Sequence, residues 1–299
     1  MKCLLTSGAA ICLASLTLAS CTVQPQPLPP KLQTGSHKPA RVFPDSSTTG
    51  VPEGTELTEY TGPCSIDTPD TKIDAKIINC DVRVLADDIV ITRSIIHGTL
   101  HTDLNYSPGR FSITDSEIRA PAESGTGIGE GNFTARRVEV TGGGRSVNCA
   151  SNCTIEDSYL HGQYTDLEGR DHESGIRMGS NSIIRNNTIS CDAEAVPPNG
   201  GCSAGLTGYG DFGIVQNNII DGNLFMADSG GYCAYGGSTK GKPFSEGVNN
   251  IRFTNNVWQR GQSGQCGIYG PITAFDPAAP GNVWVNNMWD DGTPVGPAG

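Results

Sequence analysis

The segment HGQYTDLEGRDHESGIRM, residues 161–178, gathers His161, Asp166, Glu168, Arg170, Asp171, His172, Glu173 and Arg177 into one short stretch. The chain has only five histidines, and two of them lie here. Such a set suits two reactions. In an elimination, a base such as His172 or a tyrosine takes the proton beside a carboxylate while Arg177 neutralises that carboxylate. In a hydrolysis, two carboxylates serve as acid and base, about 6.5–9.5 Å apart for inversion or about 5–5.5 Å for retention. Asp171 with Asp166 or Asp211 is then the pair to consider. Arg177 has the best-defined position, because inward Ile176 and Met178 on either side fix an outward direction on a strand, the preorganisation a working group needs. The catalytic expectation therefore falls on Arg177, His172 and Asp171; the competing reading is a charged, solvated turn.

A second group of residues is suited to holding a ligand. Tyr209, Tyr232, Tyr235 and Tyr269 recur on successive repeats close to Lys240 and Lys242. Tyrosine offers an apolar face with a polar tip, which makes a good platform for a sugar ring. Tyr209, Tyr235 and Lys240 are the expected ligand contacts, against the alternative that the rings merely cover an edge.

These residues need a scaffold, and a repeat supplies it. The segments IVITRSII (89–96), FSITDSEI (111–118), FTARRVEV (133–140), CTIEDSYL (153–160), SIIRNNTI (182–189), GIVQNNII (213–220), IRFTNNVW (251–258) and NVWVNNMW (282–289) align, with start-to-start spacings of 20–38 residues. Their third and eighth columns are mostly apolar, and the fifth and sixth are dominated by Asn, Asp and Ser. Self-similarity at such a period signals a solenoid. Each unit reads as a strand, a polar corner and another strand, which predicts an all-β, single-domain, right-handed parallel β-helix with almost no helix. Asn in the sixth column is expected to turn the chain, with Asn187, Asn218, Asn256 and Asn287 stacking as an amide ladder at about 4.8 Å per coil. A further strand lies in each long connection, with Ile128, Val147, Ile176, Leu206 and Ile268 inward and Gly129, Asn148, Arg177, Thr207 and Tyr269 outward. The longest loops (161–181, 190–211 and 221–250) fall on consecutive coils, where they build a cleft.

A repeat with Asn at its corners resembles the pectate-lyase-like right-handed parallel β-helix superfamily, over roughly residues 64–295. That superfamily contains polysaccharide lyases, glycoside hydrolases, epimerases and esterases beside non-catalytic adhesins, so the resemblance implies a fold and a class of ligand rather than one reaction. Its polygalacturonase-like hydrolases place Asp-Asp, Gly-His-Gly and Arg-x-Lys in order. Here Asp87-Asp88 and Asp290-Asp291 lie at the ends, no Gly-His-Gly occurs, and Arg177 is followed by Met178-Gly179. No catalytic assignment follows from it. The expected activity is an extracellular carbohydrate-active enzyme, a polysaccharide lyase or glycoside hydrolase, and the alternative is a non-catalytic glycan-binding or adhesin-like surface protein.

Composition narrows the partners. Charged residues make up 17% of the 299-residue chain, which carries 39 glycines and a net charge of −11. Nucleic-acid binding is disfavoured, since phosphate recognition needs clustered Lys and Arg. An acidic polysaccharide needs a local basic patch or a bound cation. No such patch is visible along the sequence, so a lyase is expected to use calcium, although no calcium-loop spacing is present. A monomer is expected.

The N-terminus reads as an address. Lys2, an apolar run from Leu4 to Leu18, and then Leu18-Ala19-Ser20-Cys21 predict a lipoprotein signal over 1–20, with Cys21 lipidated. Residues 21–55, rich in Pro, Ser, Thr and Gly, read as a tether to the solenoid domain, 56–299. The expected location is the outer side of the cell membrane, held by the lipid alone; the alternative is an ordinary signal peptide with an incidental Cys21, which gives a secreted protein. The eight cysteines that remain, Cys64, Cys80, Cys149, Cys153, Cys191, Cys202, Cys233 and Cys266, are an even count in an exported chain, which favours disulfides between sequence neighbours.

Overall fold

A computed structural model describes residues 41–105 and 109–297; Cys21 and the signal segment lie outside them. The described chain forms 27 short strands and one three-residue 3-10 turn, Ser245–Gly247. All the ladders between named strands are parallel, as in Phe111–Thr114 on Ile89–Thr92, His172–Ser180 on Arg145–Glu156, and Met288–Trp289 on Val257–Trp258. The molecule is an all-β parallel β-helix.

Three faces wind together. The first is a ten-stranded sheet running from Thr58–Glu59 to Met288–Trp289. The second runs from Lys72–Asp74 through Gly131–Arg136 to Val283–Val285. The third runs from Ser65–Ile66 through Leu100–Thr102, Thr126–Gly129, His172–Ser180 and Gly201–Thr207 to Gly270–Thr273. Strand Arg145–Glu156 serves both later faces, pairing with Thr126–Gly129 through its first half and with Gly131–Arg136 through its second. Ile91, Ile113, Ile155, Ile184, Ile220 and Phe253 stack on one interior line of fully buried side chains. At the C-terminal end Phe225, Phe253, Trp258 and Trp284 close the stack, with Phe225 and Trp258 centroids 4.1 Å apart.

The corner between the second and first faces departs from the expected turn. Its bend sits in the fifth column, where Arg93, Asp115, Arg137, Asp157, Asn186, Asn255 and Asn286 all have φ between 47° and 56°. That left-handed region is one Asn and Asp tolerate better than most residues, which explains the five Asn and Asp of the column; Arg93 and Arg137 adopt it too, each paired with a carboxylate of the preceding coil, Asp74 and Asp115. The sixth column instead points inward and bonds. Asn187 and Asn223 are fully buried, and Asn187 Nδ2 donates to Asn223 Oδ1 at 3.0 Å; Asn223 repeats this toward Asn256, and Asn256 toward Asn287. Asn223 therefore replaces Asn218 in this ladder. The strand pairing Arg185↔Asp221 puts residues 218–225, not 213–220, level with 182–189. The displaced motif belongs to the corner between the third and second faces. There Asn218 Oδ1 accepts from the Ser182 backbone N–H, and an exposed ladder links Asn132, Asn152, Asn181, Asn217 and Asn250.

A second correction concerns Ile268, which is 63% exposed. The final strand of the third face starts at Gly270, and Ile272 takes the inward place opposite Ala234. Tyr269 is consequently a rim residue and not a member of the outward column, which continues from Thr207 to Tyr235 and Thr273.

Four disulfides join Cys64–Cys80, Cys149–Cys153, Cys191–Cys202 and Cys233–Cys266. Such bonds persist in oxidising compartments, and among the described residues no helix is long and apolar enough to cross a membrane. Within the stretch read as a tether, residues 42–50 lie against the first corner: Thr188 Oγ1 donates to the Pro44 carbonyl and Gly50 N to the Arg137 carbonyl at 3.1 Å.

Candidate functional site

Alternation along the third face is broken in a way that decides which side chains emerge. On consecutive rungs at least two residues in a row are buried, among them Gly127–Ile128, Ser146–Val147, Gly175–Ile176 and Gly205–Leu206. The first of each pair is small because it meets the interior. A Cβ on Gly127 would stand 2.7 Å from Val140 Cγ1, and one on Gly175 2.5 Å from the Gly205 carbonyl oxygen. Ser146 uses its hydroxyl there, accepting from Gln163 Nε2 at 2.7 Å. Strict period-two counting sends Arg145 inward; the extra inward residue turns it out instead.

Arg145 thereby joins Arg177 on the next coil, and both line a cleft of about 500 Å³ with His172, Tyr209, Asp211, Tyr235 and Lys242. The cations outnumber the anions. Arg177 Nη2 donates to Asp211 Oδ2 at 2.9 Å, and Lys242 Nζ lies 2.8 Å from the other oxygen of the same carboxylate. Arg145 has no carboxylate partner among the described residues, only the Ser174 hydroxyl, to which its Nε donates at 3.1 Å. Burial first, and then the nearby Arg177, pull the Arg145 guanidinium below its ordinary value. Arginine stays protonated nonetheless, so the cleft holds partly desolvated positive charge that an anion would relieve. On a chain of net charge −11 this is a local inversion of sign.

Aromatic rings form the wall of the cleft. The Arg177 guanidinium lies 5.5 Å from the Tyr209 centroid and 5.1 Å from that of Phe212. Tyr209 meets Tyr235 edge-on at 4.9 Å, and Tyr232 links Tyr235 to Tyr269 at the rim. Burial, with Tyr209 beside it, raises the Tyr235 phenol well above its ordinary value, so it keeps its proton at neutral pH.

The loop before His172 is held from beneath. Asp166 accepts backbone N–H bonds from Glu168, Arg170 and Asp171 at 3.0, 2.6 and 2.8 Å. Those bonds depress its carboxyl below the usual range. Its oxygens are thus engaged in shaping the loop, and it does not face the cleft. Asp171 accepts from the Tyr164 hydroxyl at 3.2 Å, and burial together with that bond pushes Tyr164 up to about 12. Glu173 is fully buried; its Oε2 accepts from Gly201 N at 3.0 Å while Oε1 has no partner, and burial raises its carboxyl.

Of the residues singled out from the sequence, the structure brings Arg177, His172, Tyr209 and Tyr235 to one cleft. Asp171 lies in an adjoining depression of about 160 Å³ that shares His172 and Arg145 with it. Lys240 does not line the cleft; Lys242 does. Asp211 is the cleft's one carboxylate, held by two cations, so no acid–base carboxylate pair faces it. No group of three or more His, Cys, Asp or Glu side chains able to hold a metal occurs among the described residues. With three cations lining the cleft, its donor set does not fit a calcium ion. A depression of about 590 Å³ on the second face carries less chemistry: Val90, Ser112, Thr134 and Thr154 line it with two asparagines, and its one cation among the described residues, Arg110, is paired with Asp88 at 2.9 Å beside Asp87.

No protein-family model matches the chain, and neither does any curated protein or solved structure.

Proposed function

We propose that the protein is an extracellular polysaccharide lyase acting on an acidic glycan, with charge neutralisation by Arg145 and Arg177 in place of a metal. The observation that carries this reading is the surplus of cations over a single shared carboxylate in a cleft of an otherwise acidic chain. A uronate carboxylate seated between Arg145 and Arg177 has its negative charge balanced, which stabilises the carbanion-like state formed when the adjacent proton leaves.

His172, on the rim and with no side-chain hydrogen bond to another described residue, takes that proton through an imidazole nitrogen. The freed electron pair becomes the new C=C bond, and the glycosidic C–O bond on the next carbon breaks. Tyr235, which stays protonated, gives its proton to the departing sugar oxygen. Asp171, across the shared imidazole, belongs to the loop that sets the position of His172. The pectate-lyase-like superfamily is the family context this reading favours, supported by the parallel β-helix and its Asn corners. Hydrolysis is disfavoured by the lack of a facing carboxylate pair.

A panel of acidic and neutral polysaccharides, followed by ultraviolet absorbance for unsaturated products and by a reducing-end assay, tests the proposal. Elimination raises both signals. A rise in reducing ends alone means hydrolysis, and binding without either signal means a non-catalytic glycan-binding protein.

The same reading places the domain outside the cell on a lipid attached to Cys21, consistent with its four disulfides. Cys21→Ala should move the protein from the membrane fraction to the soluble one, and retention in the membrane would reject the anchor.

A further inference from the structure

The groove does not end at the cationic cleft. Along the strands Arg145–Glu156 and His172–Ser180 it continues into a depression of about 650 Å³, and Arg177 and Tyr209 line both parts. A polymer seated in one therefore extends into the other.

The second part has different chemistry. Apart from the shared Arg177 no cation lines it among the described residues; it presents the Asn148 amide, Gln216, the Phe212 ring and one carboxylate, Glu130. Phe212 is 86% exposed, resting on Arg177 and otherwise open. A large ring left so exposed on a rigid groove is suited to stacking against the C–H face of a sugar. Asn148 makes no side-chain hydrogen bond to another described residue, which leaves its donor and its acceptor for a ligand. Glu130 has no ion-pair partner among the described residues, and a second uronate placed beside it would meet a like charge.

We propose that the groove reads two consecutive sugar units of unlike charge, a uronate over Arg145 and Arg177 and an uncharged or N-acylated sugar over Phe212 and Asn148. The substrate class is thus an alternating acidic heteropolysaccharide and not a homopolymer of uronates. This rests on the lyase reading and adds to it the order of charges along the chain that is cut.

Calorimetric binding and initial cleavage rates on the full-length protein test the proposal. One arm uses polygalacturonate and polymannuronate; the other uses alternating polymers in which a uronate follows an N-acetylhexosamine or a deoxyhexose. At least one alternating polymer should bind about tenfold more tightly than either homopolymer. Phe212→Ala should remove most of that preference while leaving the melting temperature unchanged, and Glu130→Gln should improve homopolymer binding several-fold. Equal or tighter binding of a homopolymer, or a Phe212→Ala loss of equal size on both classes, overturns the proposal while elimination itself stands. If neither class is bound or cut, the lyase reading fails and this inference fails with it.

Discussion

The early and middle coils of the solenoid use one corner in two ways. In the early coils the inward position is serine: Ser94 Oγ accepts from Lys76 N and Ser116 Oγ from Ser94 N, across separations of 18 and 22 residues. From Asn187 onward it is asparagine, across separations of 36, 33 and 31 residues. A serine takes one neighbouring N–H and gives its proton to the carbonyl two residues before it. An asparagine takes two donors from the coil before and gives two bonds, so each coil is tied to both neighbours. The longer the excursion between corners, the more bonds the corner makes. Loop closure adds only about 0.6 kcal/mol for each doubling of length, which a single added amide bond of about 0.5–1.5 kcal/mol offsets. The stronger corner thus allows long loops at 161–171 and 208–214, and those loops build the cleft.

The largest test of this division is to remove function without removing fold. Arg177→Ala should lower kcat about 10²–10³-fold, since loss of one group that stabilises transition-state charge costs about 2.7–4 kcal/mol. Its ion pair is partly exposed, and Asp211 keeps Lys242, so the loss of stability should stay within the range typical of such pairs, no more than about 1 kcal/mol, with only a small fall in melting temperature. A large fall in melting temperature with unchanged turnover per folded molecule would make Arg177 a scaffold residue. The converse change is Asn223→Ala, which strands the buried Asn187 N–H and the Ile184 carbonyl. Two such groups cost about 2–6 kcal/mol. Chemical denaturation should show that loss, whereas the equivalent change in the early coils, Ser94→Ala, should cost less because it breaks two side-chain bonds where Asn223→Ala breaks four. Equal losses would mean that the two corners do not differ as argued.

Much of this was legible from residue types, and the omissions have specific causes. The fold followed from periodic Ile and Val with polar corners, and the disulfide pairs from neighbouring cysteines. The slip from Asn223 to Asn218 arose because two different corners both carry Asn-Asn or Gly-Asn beside an Ile-Ile pair, so local pattern alone does not separate them. Arg145 was missed because period-two counting cannot see two successive inward residues, although the small residue before each apolar one (Gly127, Ser146, Gly175, Gly205) is the signal that reveals it. The basic cleft was invisible for a different reason. Arg145, Arg177 and Lys242 are 32 and 65 residues apart in sequence, and only the coil spacing brings them together.

A smaller effect concerns Glu173, whose buried carboxyl lies beneath the loop that carries His172. Its folded-state value is raised, so the native protein holds a proton that the unfolded chain releases above about 4.3. Its contribution to stability is complete below that pH and declines as pH rises toward the folded value. Glu173→Gln keeps an acceptor for Gly201 N–H and removes the titration. Melting curves between about pH 4 and pH 7 should show the wild type losing stability relative to the variant as pH rises. Parallel curves would mean that the carboxyl is not held neutral in the fold.

The smallest expected effect separates the two asparagine ladders. In the exposed one, Asn152, Asn181, Asn217 and Asn250 have φ of 58°, 57°, 55° and 53°, and each amide is also bonded to the next. Two causes would account for Asn here, namely the left-handed backbone and the amide chain. In water an exposed amide exchanges its neighbour for solvent at little loss, so the backbone should dominate. Asn181→Ala retains a Cβ in the left-handed region and should cost about 1–2 kcal/mol. Asn181→Gly breaks the same two amide bonds but adopts that region freely, so it should lie closer to the wild type than the alanine variant does. If the glycine and alanine variants lose stability equally, the exposed amide chain carries energy as the buried one does. The distinction between a corner that fixes the backbone and a corner that binds the coils together would then have to be given up.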